Sequence, residues 1–73
     1  MIQTIKKIEK IVDKISILYF EKQNKGWSKI ESYDSSVKHI FKELGKLPPD
    51  EATMLCEMLE DCRQDWGIDA IYH

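Results

Sequence analysis

The side chains best suited to bind a metal or to act as nucleophiles are two cysteines and two histidines, Cys56, Cys62, His39 and His73. A structural zinc site usually has two cysteines two to four residues apart, whereas Cys56 and Cys62 are six apart. On a helix that spacing turns the thiols about 120° away from each other and separates them by about 9 Å, more than a disulfide allows. We therefore expect free thiols, no metal and no cofactor.

Serine hydroxyls offer a second route to catalysis, through Ser32, Ser35 and Ser36. Nucleophilic catalysis needs a base and an orienting group that converge with the nucleophile in a cleft. The three serines fall on the exposed side or margin of the second predicted helix. The glycine patterns that bind phosphates or dinucleotides do not occur in the sequence. We expect no enzymatic activity and no small-molecule substrate.

Length and composition predict one ordered domain over residues 1–73. The chain is 42% hydrophobic and 33% charged, which is typical of a globular protein. A chain this short is marginally stable alone, and such domains often gain stability from a partner. The first residues alternate isoleucine with lysine, without the apolar core of a signal peptide or a run long enough to cross a bilayer. We expect a cytoplasmic protein.

Apolar periodicity predicts three helices, over residues 4–23, 29–44 and 49–66, followed by a tail over 67–73. Ser28 and Glu31 form the pattern of a capping box at the start of the second helix. Short connections favour antiparallel neighbours. The predicted fold is all-α, an antiparallel three-helix bundle in up-down-up order with a short C-terminal helical turn or tail.

Each helix carries an apolar stripe that we expect to face the core. In helix one it comprises Ile5, Ile8, Ile11, Val12, Ile15, Leu18 and Tyr19. In helix two it comprises Ile30, Tyr33, Val37, Ile40, Phe41 and Leu44. In helix three it comprises Ala52, Leu55, Met58, Leu59, Cys62 and Trp66.

Helix one has more apolar residues than one core can take. Five of the six residues over 15–20 are apolar, and on a helix they cannot all point the same way. The residues predicted to contact a partner are Ile2, Ile17, Phe20 and Trp27, although Phe20 and Trp27 could instead cover the end of the core. We expect a small non-enzymatic protein-interaction module, an adaptor, regulator or inhibitor, that forms a twofold homodimer through helix one.

Charge is distributed unevenly behind a net value of −2. Six lysines and three acids give residues 1–25 a net charge of +3, and one arginine and seven acids give residues 48–73 a net charge of −6. Helix one has a basic face of Lys6, Lys7, Lys10 and Lys14. Helix three has an acidic face of Asp50, Met54, Glu57, Asp61 and Asp65.

These two faces match each other, either within one chain or across a dimer. Two alternatives use them separately: helix one could contact nucleic-acid phosphates, or helix three could inhibit a basic partner. A pI of about 5.6 and a single arginine favour a protein partner over nucleic acid. The apolar side of helix one is needed for the core, so we expect no membrane association.

Overall fold

The computed structural model describes residues 2–68, with the side chain of Ile2 outside the description. Within this part of the chain the fold is all-helical, as predicted: α1 spans Ile2–Asn24, α2 spans Lys29–Leu44 and α3 spans Pro49–Asp65. Both α2 and α3 pack on α1, whereas no Cα atoms of α2 and α3 come within 8 Å of each other in the described range. The first helix is therefore the central element of the molecule.

Local chemistry accounts for the helix ends. Ser28 caps α2 by accepting the amide of Glu31 at 3.2 Å, as the sequence predicts. The other half of the predicted capping box is different, because the Glu31 carboxylate accepts the Ser28 hydroxyl at 2.9 Å rather than the Ser28 amide. Gly26 and Gly67 have φ values of 93° and 71°. Each glycine follows a helix in the left-handed conformation that closes a Schellman turn.

The core follows one side of α1. Ile8 and Ile15 are fully buried, as is Leu55 on α3, and Ile40 joins them from α2. Ile68 is also buried, so the segment after α3 begins by returning to the core; the rest of the predicted tail, residues 69–73, lies outside the described residues.

The expectation that Ile5 belongs to the core is wrong. Its side chain is 44% exposed, because it lies near the start of α1, and the described core begins one turn later, at Ile8.

The rotation of α2 differs from the prediction. Ser32 and Ser36, expected at the exposed side or margin, are fully buried, while Ile30 and Phe41, expected in the core, are 41% and 40% exposed. The reason is side-chain size: Ser32, Ser36 and Ile40 form a row four residues apart that faces α1, and small serines let two helices approach closely. Ile30 and Phe41 lie about 120° and 140° around the helix from Ser36 and so turn away from α1.

Candidate interaction surfaces

Aromatic rings meet where α3 ends beside the second half of α1. Tyr19 and Trp66 stack with ring centroids 4.2 Å apart and planes 10° apart. Phe20 meets Trp66 edge to face at 5.6 Å, and Tyr33 of α2 does so at 6.3 Å. Such arrangements of rings add to the stability gained by burial alone. The cluster joins all three helices, and Trp66 covers one side of Phe20.

The other side of Phe20 is open to solvent, and so is its neighbour Ile17. Their side chains are 51% and 61% exposed, and a spacing of three residues puts them on one face of α1. We call Ile17 and Phe20 the outward strip. It projects from the helix that the rest of the chain packs against, with Trp66 behind Phe20.

The four predicted partner-binding residues do not meet in one place. The Trp27 ring lies under the Lys22 ammonium, 4.5 Å from the ring centroid. Lys22 is about 160° around α1 from Phe20, so Trp27, 45% exposed, belongs to another surface. The side chain of Ile2 lies outside the described residues, and its position is about 27 Å along the helix from Phe20. The outward strip is what remains of the predicted set.

The predicted basic face is gathered around one concavity of about 430 Å³ between α1 and the end of α2. Ile11 and Leu44 supply its apolar lining. The polar lining comprises Gln3, Lys6, Lys7, Lys10 and Lys14. Lys10 and Lys14 form no ion pair with the residues that the structure describes, so their charges are available to an outside group.

Within the described range, the predicted basic face makes one observed ion pair with α3. Lys7 pairs with Glu51 at 2.8 Å, and Glu51 is largely covered there. Glu51 is not part of the predicted acidic face. Among the residues of the basic face, Lys7 is therefore the one that pairs with an acid of helix three in this structure.

Two acidic side chains of α3 and one of α1 act on the thiol of Cys62. Burial raises the pKa of the Cys62 thiol, and the negative charges of Asp65, Asp61 and Asp13 raise it further. All three aspartates are exposed, and Cys62 is half-buried.

Asp13 lies about 20° around α1 from Phe20 and so on the side of α1 that Trp66 contacts. The lysines line the concavity beside the end of α2, where Lys7 also reaches Glu51 at the start of α3.

The remaining members of the acidic face point in different directions. Met54 packs against the core cluster, which explains an apolar residue in an acidic stripe. Glu57 lines the groove between α2 and α3, and Asp50 is exposed in the first turn of α3. Asp61 and Asp65 are exposed near the end of α3, outside the lining of that groove.

A groove of about 600 Å³ separates α2 from α3, and it was not predicted. Tyr33, Val37 and Phe41 line it from α2. From α3 it is lined by Ala52, Thr53, Cys56, Glu57, Leu59, Glu60 and Arg63. The sequence signal was the pair of serines beside the apolar stripe of α2, since close packing through them leaves the stripe partly uncovered.

Cys56, Cys62 and His39 form no common site among the described residues. Cys56 is exposed in the groove, Cys62 is half-buried at the edge of the core, and both are free thiols. His39 lies 3.8 Å from Glu43 on the exposed side of α2. No three metal-binding side chains come together within residues 2–68, and His73 lies outside that range.

Comparison with known proteins adds nothing to this geometry: the chain matches no family model, no curated protein and no solved structure. None of the helices within the described residues has the length and apolar content required to cross a bilayer.

Proposed function

We propose that this chain is a small non-enzymatic protein-interaction module that acts as a homodimer in the cytoplasm, with the outward strip at the centre of the contact. The observation that carries this proposal is the exposure of Ile17 and Phe20 on the central helix, 61% and 51%, in a chain of 73 residues. Burying one side chain of this class at an interface stabilises the complex by roughly 1.5–3 kcal/mol. Each copy would bury two such side chains, Ile17 and Phe20.

A second copy of the same chain fits this surface by charge. The outward strip has Lys10 and Lys14 on the side of α1 that borders the concavity beside the end of α2, and Asp13 on the side that borders Trp66. A complementary partner must therefore have acidic side chains on one side of an apolar centre and basic side chains on the other. A second copy of this surface has that arrangement. A uniformly basic or acidic partner would match only half of it.

We also propose that the three helices follow one another in up-down-up order, with neighbouring helices antiparallel. Two contacts support α3 running in the direction of α1: Lys7 pairs with Glu51 near the start of both helices, and Tyr19 stacks on Trp66 near their ends. The bond from Gln23 to Ser32 at 3.0 Å supports the reverse direction for α2.

Sedimentation equilibrium at ten to a hundred micromolar tests the dimer. The proposal expects twice the chain mass of 8.6 kDa, with a dissociation constant in the micromolar range, as suits a small contact surface. A single-chain mass throughout this range would reject it.

Nucleic-acid binding is the second candidate, because the four lysines of the basic face line one concavity. Phosphates could bind there, and binding would weaken steeply with salt. Retention on a DNA column at low salt, lost in a Lys10→Glu/Lys14→Glu variant, would favour this candidate. Flow-through at low salt would remove it and leave the protein-interaction proposal untouched.

A further inference from the structure

We propose that the two copies bind with their α1 helices pointing in the same direction, around a twofold axis parallel to α1. In this arrangement Lys10 and Lys14 of each copy face Asp61 and Asp65 of the other. The inference rests on the dimer proposed above and specifies its geometry.

The order of side chains around α1 is the first support. At about 100° per residue, Lys10 and Lys14 lie about 20° and 60° to one side of Ile17, and Asp13 and Phe20 lie about 40° and 60° to the other side. The lysine side borders α2 through the concavity, and the other side borders α3 through the ring of Trp66. Over the levels of residues 10–20 the order across the exposed surface is therefore base, apolar strip, acid. Lys6 falls about 20° on the acidic side of Ile17 but lies one turn nearer the N-terminus than Lys10.

Two face-to-face twofold arrangements can bury such a strip. An axis parallel to α1 exchanges left and right, so the basic side of one copy faces the acidic side of the other. An axis lying across α1 keeps left and right in place, so lysines face lysines and aspartates face aspartates. Like charges brought together at an interface are unfavourable, so the surface selects the first arrangement.

The levels of the charges along the bundle also agree. A rotation about an axis parallel to α1 keeps every residue at its own level. Lys7 pairs with Glu51, and Tyr19 stacks on Trp66. Asp61 is about two thirds of the way from Glu51 to Trp66 along α3, so it lies near the level of Ile15, which is one residue, or about 1.5 Å, from that of Lys14. A lysine side chain can therefore reach Asp61 of the other copy without a shift along the helix. Glu21, on the lysine side, lies nearer the C-terminal end of α1 and leaves this level to the lysines.

Pulsed electron-paramagnetic-resonance distances between spin labels test the direction of α1. A single label is placed at Gln3→Cys in a Cys56→Ser/Cys62→Ala background, with helicity checked by circular dichroism. Gln3 is 14 residues before Ile17, so a crosswise twofold centred on Ile17 would separate the labels by about 42 Å. With α1 helices side by side and parallel, the labels lie at one level and the helix axes are about 8–10 Å apart, so we expect a distance less than half as long.

Charge reversal tests the pairing with the native cysteines in place. In the Lys10→Glu/Lys14→Glu variant, both symmetry-related contacts of the dimer place acidic side chains against acidic side chains. Each exposed ion pair contributes little to binding, so we expect the dissociation constant of the dimer to rise by only about tenfold. Asp61→Lys/Asp65→Lys should do the same by making them base against base. A one-to-one mixture of the two variants should associate again, because every contact then pairs acid with base.

Each outcome separates the two proposals. A short label distance together with recovery in the mixture supports the parallel dimer. A dimer with labels about 42 Å apart, or one whose dissociation constant does not change in either charge variant, overturns the parallel arrangement and leaves the dimer standing. Absence of any dimer overturns both.

Discussion

Trp66 stacks on Tyr19 with ring planes 10° apart, and the same indole ring meets Phe20 edge to face. One residue at the end of α3 thereby covers a buried ring of α1 and supports the exposed ring beside it. This contact connects the stability of the fold to the position of the outward strip.

Replacing this indole should be costly. We expect Trp66→Ala to lower the free energy of unfolding by about 2–3 kcal/mol, because a large half-buried ring is lost together with its contacts to the neighbouring rings. Trp27→Ala is the matched control and should cost less than about 1 kcal/mol, since that ring is more exposed and contacts a lysine. Urea denaturation followed by circular dichroism measures both. Equal losses would show that the cluster around Trp66 has no special role.

The two buried serines of α2 should respond in opposite directions to alanine. The Ser36 hydroxyl has no hydrogen-bond partner among the described residues, so Ser36→Ala removes a buried polar group that is unsatisfied and should stabilise by about 1 kcal/mol. The Ser32 hydroxyl donates to the carbonyl of Ser28 at 2.7 Å and accepts from Gln23 at 3.0 Å. Ser32→Ala should destabilise by about 1 kcal/mol, because it leaves the Gln23 amide without that acceptor.

Chemical denaturation of the two variants under the same conditions decides the point. A loss of stability in Ser36→Ala comparable to that in Ser32→Ala would contradict the account of how α2 meets α1.

Alkaline pH should destabilise the fold. Burial raises the pKa of the Tyr19 hydroxyl, and burial together with Asp65, Asp61 and Asp13 raises the pKa of the Cys62 thiol. Folding therefore favours the protonated forms, and the unfolded chain loses these protons first, from the ordinary values of 9.0 for the thiol and 10.0 for the hydroxyl. The free energy of unfolding should be insensitive to these groups at neutral pH and should fall as the pH rises above 9.

Denaturation curves from pH 7 to 10.5 measure this decline, and Cys62→Ala should make its first part shallower. A stability that rises with pH across this range would contradict the raised pKa values of Tyr19 and Cys62.

The raised pKa of Cys62 also predicts the order in which the two thiols react. A thiol reagent at pH 8 should modify exposed Cys56 before Cys62, since the thiolate is the reactive form and Cys62 remains protonated and partly covered.

Sequence reasoning reached the parts of this fold that depend on neighbouring residues. The helical class is confirmed, and the capping bond from the Glu31 amide to Ser28 occurs where it was expected. Local hydrogen-bonding chemistry determines such features, and the chain close to each position suffices to predict them.

The side of α2 that faces α1 could not be predicted from neighbouring residues alone. Counting apolar residues placed Phe41 inside and Ser36 outside, but the contact with α1 depends on how closely two backbones can approach. Small side chains permit that approach, and a count of apolar residues does not register it. The groove between α2 and α3 was missed for this reason, whereas exposure of Ile17 on α1 followed directly from helix geometry.

The central claim is that the outward strip holds two copies together, and a matched pair of phenylalanine variants tests it most directly. Phe20 and Phe41 have similar exposure, 51% and 40%, but only Phe20 belongs to the strip. Sedimentation equilibrium of Phe20→Asp and Phe41→Asp beside the unchanged protein compares them at one concentration. We expect the unchanged protein and Phe41→Asp to be dimers and Phe20→Asp to be a folded monomer. A Phe20→Asp variant that remains as dimeric as Phe41→Asp would contradict the claim.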